Sequence, residues 1–128
     1  MIRKKELLIL ENAALRLEFD SEAGALRSAV NRLTDERYDI SGDEFTIETV
    51  AFCRSQTDMP LRGFTATNEN IEALYTDSDL SVKVTYQLNP ADHFFQKHLE
   101  ITFVRDEALK RVVVSRPILG RNGLEIIC

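Results

Sequence analysis

The chain has 128 residues, 44% of them hydrophobic and 29% charged, the balance of a folded soluble domain rather than a disordered one. That length is enough to bury a core without staples, so one domain over residues 1–128 is expected. A formal charge of -5 with no cluster of Lys or Arg argues against nucleic acid as a partner.

The opening, MIRKKELLILEN, is basic like a signal peptide, but its apolar run covers only Leu7 to Leu10 before Glu11 and Asn12. That is too short for a signal core or a membrane span. The chain as it stands reads as cytoplasmic, with no membrane partner; a fragment of an extracellular or periplasmic protein would look the same. In AALRLEFD, Leu15, Leu17 and Phe19 alternate with Arg16 and Glu18, which predicts a half-buried strand. Gly24 in SEAGAL marks a turn, and LRSAVNRLTDERYDI runs through Val30 and Leu33 towards Tyr38, with hairpin-turn chemistry from Asn31 to Glu36.

Phe45 to Val50 is rich in β-branched and aromatic residues and predicts another strand. Arg54 to Thr67 contains Pro60 and Gly63 with patchy periodicity, so a loop is expected, with room for an irregular edge strand. Asn70 to Tyr75 fits a strand, and TDSD before Leu80 fits a tight turn. From Leu80 to Leu88 the alternation is unbroken: Leu80, Val82, Val84, Tyr86 and Leu88 on one face, Ser81, Lys83, Thr85 and Gln87 on the other. Asn89-Pro90 ends it, because proline has no ladder donor. Phe94 to Val104 resumes as the antiparallel partner, and Arg111 to Ser115 and Leu124 to Ile127 supply two more strands around Pro117, Gly120 and Gly123. No segment has a sustained helical period, so the fold class is all-β, an antiparallel β-sandwich of two sheets. Cys53 and Cys128, without metal spacing, read as free thiols.

DHFFQKHLEITF holds both histidines, His93 and His98, with Lys97 and Glu100. Strand alternation puts Phe95, Lys97, Leu99, Ile101 and Phe103 on the buried face and Gln96, His98, Glu100 and Thr102 on the other. His98 and Glu100 are then neighbours, within reach of a hydrogen bond or a weak ion pair, while His93 falls in the preceding loop. Both histidines fit an ordinary surface role, since nothing in the sequence supplies further metal ligands or a cleft for acid/base work. Lys97 is in phase with the apolar set, and two placements fit it: at the mouth of the sandwich with its ammonium snorkelling outwards, or facing a ligand groove.

The acidic pairs Asp20/Glu22, Asp35/Glu36, Asp43/Glu44 and Asp77/Asp79 invite comparison with glycosidase carboxylates, but each sits in a predicted turn where such residues serve the backbone. No nucleophile elbow or phosphate loop is present, so neither a cofactor nor a metal is expected. Tryptophan is absent, and Tyr86, one of three tyrosines available for stacking on sugar, is in phase with the core.

LENAALRLEFD, SEAGAL, NRLTDERY and LSVKVTYQLNPADHFFQKHLEITF, in that order, resemble the N-terminal β-sandwich region of many glycoside hydrolases and the galactose mutarotase-like sandwich. The resemblance spans most of residues 7 to 115 and rests on alternation and turns; no catalytic acid or base can be matched. It implies a non-catalytic module of a carbohydrate-active protein, with an adjacent catalytic domain or a carbohydrate as partner. Lys97, His98, Glu100 and His93 are the candidate carbohydrate contacts. Complete sandwiches of this type are about twice as long, so half of a supersandwich is expected, its open edges covered by a homodimer or by further sequence. Two rivals stand: a small mutarotase-type epimerase using His98 with Glu100, or His93, and an assembly module without sugar affinity.

Overall fold

The computed structural model describes residues 7–105, 109–114 and 125–127. In chain order its strands are β1 (Leu7–Glu11), β2 (Leu15–Asp20), β3 (Ala25–Asn31), β4 (Glu36–Asp39), β5 (Phe45–Thr49) and β6 (Cys53–Ser55). After a 3-10 turn at Gln56–Asp58 come β7 (Leu61–Ala66), β8 (Asn70–Thr76), β9 (Leu80–Gln87), β10 (Gln96–Phe103), β11 (Leu109–Val114) and β12 (Glu125–Ile127). They make three sheets, ordered β1-β2-β3-β4, β12-β10-β9-β8-β7 and β11-β5-β6.

The all-β, sandwich-like architecture agrees with the alternation in the sequence. The division differs from the two sheets expected, because the layer facing the five-stranded sheet is split between the first and third sheets. Phe19 of β2 meets Tyr86 of β9 edge-on at 5.0 Å, and Phe45 of β5 meets Tyr75 of β8 at 5.5 Å. Around these rings Leu17, Leu26, Ile47, Ile71, Val82 and Val84 are almost wholly removed from water. Pairing is antiparallel except for β12, which lies parallel to β10 with Lys97 opposite Ile126.

One strand was hidden by its pattern, and another was expected only as an irregular edge strand. Leu7 to Leu10 is an unbroken apolar run, yet forms β1 against β2. In β7, a register shift between Leu61 and Gly63 breaks the period of two; this is the irregular edge strand for which the 54–67 stretch left room.

The predicted turns form by side-chain capture of backbone donors. Asn31 Oδ1 accepts from Leu33 N at 3.0 Å, and Asp77 Oδ1 accepts from Asp79 N at 2.8 Å. Asn12 acts across the fold: its Nδ2 donates to the carbonyls of Asn89 at 2.7 Å and Asp92 at 2.8 Å, fastening the β1–β2 turn to the loop that carries His93. Cys53 is an exposed free thiol; Cys128, Ser115, Pro117, Gly120, Gly123 and Leu124 lie outside the described residues. Among the described residues no helix is long and apolar enough to cross a membrane.

Candidate functional site

Lys97 shares the phase of the core, as the alternation requires, but its ammonium neither snorkels outwards nor faces a groove. The residue is 0% exposed, with Nζ 2.7 Å from Glu44 Oε2 and donating to the Glu44 carbonyl at 2.8 Å. Removing an ammonium from water is costly unless a paired charge replaces the solvent, and Glu44 is that charge. Glu44 also departs from the turn role expected of the Asp43/Glu44 pair. It is buried, its Oε1 accepts from Leu26 N at 2.8 Å, and its Oε2 accepts from the Tyr86 hydroxyl at 2.5 Å. Burial, then the charge and hydrogen bond of Glu44, push the Tyr86 phenol well above its ordinary range, so it remains a donor. One carboxylate thereby connects β3, the start of β5, β9 and β10. With both charged groups enclosed, this cluster fastens sheets together rather than meeting a substrate.

The other three sequence candidates lie elsewhere. His98 and Glu100 share the outer face of β10, but His98 Nε2 is 3.3 Å from Gln96 Oε1, while Glu100 lies 3.8 Å from Lys83, its cross-strand partner on β9. The expected bond between them gives way to these two contacts. His93 is exposed in the loop between β9 and β10.

A concave surface lies on the outer face of β2, β3 and β4. Cross-strand register aligns Arg16, Val30 and Arg37 in one row and Glu18, Ser28 and Asp39 in the next. Together with Arg32 and Asp35 of the β3–β4 hairpin, Arg16, Glu18, Val30 and Arg37 line an open groove of about 380 Å³. Glu18 is its anchor. A bulge between Glu18 and Phe19 disturbs the ladder, and Glu18 is only 6% exposed although it points away from the core. Its Oε1 accepts from the Ser28 hydroxyl and from Arg37 Nη2 at 2.5 Å, and Arg16 Nε lies 3.3 Å from Oε2. The Ser28 hydroxyl, then the Arg37 and Arg16 charges, hold this carboxyl below the usual carboxylate range against the opposing effect of burial.

That direction sets a pH dependence. A depressed folded pKa contributes stability above the ordinary carboxylate pKa and loses it as pH falls through the folded value. Glu18→Gln is therefore expected to lower unfolding free energy by about 1 kcal/mol at neutral pH, modest because Arg37 is half exposed. The difference from wild type should shrink below about pH 4. Urea unfolding at pH 7 and pH 3 checks this; an equal difference at both would be the wrong result.

None of Lys97, His98, Glu100 and His93 lines this groove. Arg16 and Glu18 were legible as an outward pair, but their meeting with Arg37 depends on β4 pairing with β3, a register for which the sequence carries no signal beyond the Asn31 turn. The groove offers guanidinium donors and carboxylate acceptors beside the apolar side chain of Val30. Elsewhere Arg54 bridges Asp77 at 3.1 Å and Asp79 at 2.9 Å with its guanidinium over the Phe52 ring, which accounts for that acidic pair as a braced turn. Among the described residues no group of three or more His, Cys, Asp or Glu is placed to hold a metal ion. No family model, no curated protein and no solved structure matches the chain.

Proposed function

We propose that the chain is a non-catalytic β-sandwich module of a carbohydrate-active protein, whose groove on β2, β3 and β4 contributes sugar contacts beside a catalytic domain. The observation that carries this reading is the composition of the groove. Guanidinium donors and carboxylate acceptors flank the apolar side chain of Val30, an arrangement suited to the paired hydroxyls and apolar ring faces of a saccharide. The order of strands and turns that resembles the N-terminal region of glycoside hydrolases supports the same reading. The mutarotase-type alternative draws less support, because His98 and Glu100 take separate partners and His93 stands in a different loop.

A titration of the labelled protein with mono- and oligosaccharides, followed by amide chemical shifts, tests it. Saturable shifts are expected at Glu18, Val30 and Arg37, and Arg37→Ala should weaken binding about tenfold through loss of a charge-assisted donor. A flat response across the panel, or shifts confined to the outer face of β10, would rule out this groove as the contact surface.

A further inference from the structure

The groove holds one guanidinium that makes no hydrogen bond. Three guanidinium groups, on Arg16, Arg32 and Arg37, stand with the carboxylates of Glu18 and Asp35 in the groove, and Asp39 lies 3.7 Å from Arg37 at its edge. Glu18 is engaged by Arg37 at 2.5 Å, and Arg32 donates to the Asn12 carbonyl at 2.5 Å with Glu11 at 3.7 Å. Arg16 lies beside the same Glu18 carboxylate at 3.3 Å, but without hydrogen-bond geometry. Its Nε is the one buried side-chain nitrogen or oxygen among the described residues that makes no hydrogen bond. The Arg16 side chain is 40% exposed, so the outer edge of its guanidinium, rather than the enclosed Nε, is open to a ligand oxygen.

We propose that the groove selects an acidic sugar, a uronate, and that Arg16 takes its carboxylate; this rests on the reading of the groove as a carbohydrate-contact surface. A guanidinium presents a planar fork that matches a carboxylate in a bidentate fashion. Arg32 and Arg37 already have carboxylate and hydrogen-bond partners, which leaves Arg16 as the groove's guanidinium without a hydrogen bond. A monoanionic carboxylate meets less repulsion from Glu18 and Asp35 than a dianionic phosphate would. The row Arg16, Val30, Arg37 then divides the work: Arg16 reads the acid, Val30 offers an apolar surface to the ring, and Arg37, already fixed by Glu18 and Ser28, offers its remaining donors to hydroxyls.

The test uses the full chain and uronate-terminated disaccharides of gluco, galacto and manno configuration, each beside its neutral counterpart, with sodium acetate as a carboxylate without a sugar. Calorimetry and chemical shifts are read together. The expected result is at least about tenfold tighter binding of one uronate disaccharide than of its neutral counterpart. The Arg16 Nε resonance should shift, added salt should weaken only the uronate, and Arg16→Gln should bring the two disaccharides to equal affinity in a protein with an unchanged amide spectrum. Equal binding of acidic and neutral disaccharides by wild type overturns the acid selectivity and leaves the sugar-contact reading standing. Selectivity that survives in Arg16→Gln overturns the role of Arg16. Acetate binding as tightly as the disaccharide overturns the sugar part, and no saturable shift with any saccharide overturns both this proposal and the function on which it rests.

Discussion

Lys97→Met is expected to lower the unfolding free energy by about 3–5 kcal/mol, the cost of leaving a charge buried without its counter-ion. Methionine is apolar and of similar length, so the cavity contribution stays small and the loss reports on Glu44. In the variant the Glu44 carboxylate keeps the Tyr86 hydroxyl and Leu26 N as donors but has lost the ammonium at 2.7 Å. Adding Glu44→Gln removes the stranded charge, so the double variant should recover part of the loss, with a coupling of about 1–3 kcal/mol. Urea unfolding followed by far-ultraviolet circular dichroism at pH 7 provides the measurement. A single-variant loss below about 1 kcal/mol would mean that the pair is not the fastening proposed for it. The consequence reaches the recognition surface, because Leu26, which donates to Glu44, lies on β3 with Ser28 and Val30 of the groove.

Gly24→Ala is expected to cost about 2–5 kcal/mol, the second large effect. Gly24 has φ +69, and an added Cβ there would lie 2.9 Å from both Leu61 Cδ1 and the Tyr75 hydroxyl oxygen and 3.2 Å from Ala73 Cβ. The left-handed backbone costs about 1–2 kcal/mol for an L side chain. The overpacking adds about 1–3 kcal/mol, because the Tyr75 hydroxyl is held by its 2.6 Å bond to the Ala23 carbonyl and cannot swing away freely. Gly42 is the control: its φ is +97 but nothing lies within 4 Å of an added Cβ, so Gly42→Ala should cost about 1–2 kcal/mol from the backbone alone. Thermal melts of the two variants at one protein concentration separate the contributions; equal losses would show that the contacts around Gly24 yield without cost.

Much of the fold was legible because strands with one buried face impose a period of two on their residues. Leu80 to Gln87 follows that rule at every position, and the turns at Asn31 and Asp77 depend on side chains that act within a few residues of their own backbone. β7 was legible only as room for an irregular edge strand, since a bulge next to Gly63 removes the period. Lys97 stood out because it occupies an apolar phase, but a residue in phase with the core can be located without its partner being known. Glu44 is 53 positions away beside Asp43, where local chemistry suggests a turn.

The sequence by itself determined that this chain is all-β, which face of the regular strands is buried, and that Lys97 lies in phase with the core. Those properties follow from alternation and from interactions over a few residues. Only the tertiary structure decided that three sheets form, that Glu44 neutralises Lys97 in the core, and that Arg16, Glu18 and Arg37 meet around one groove. Strand register and sheet packing bring such groups together across long stretches of chain, and a period of two is unchanged by which strand becomes the neighbour.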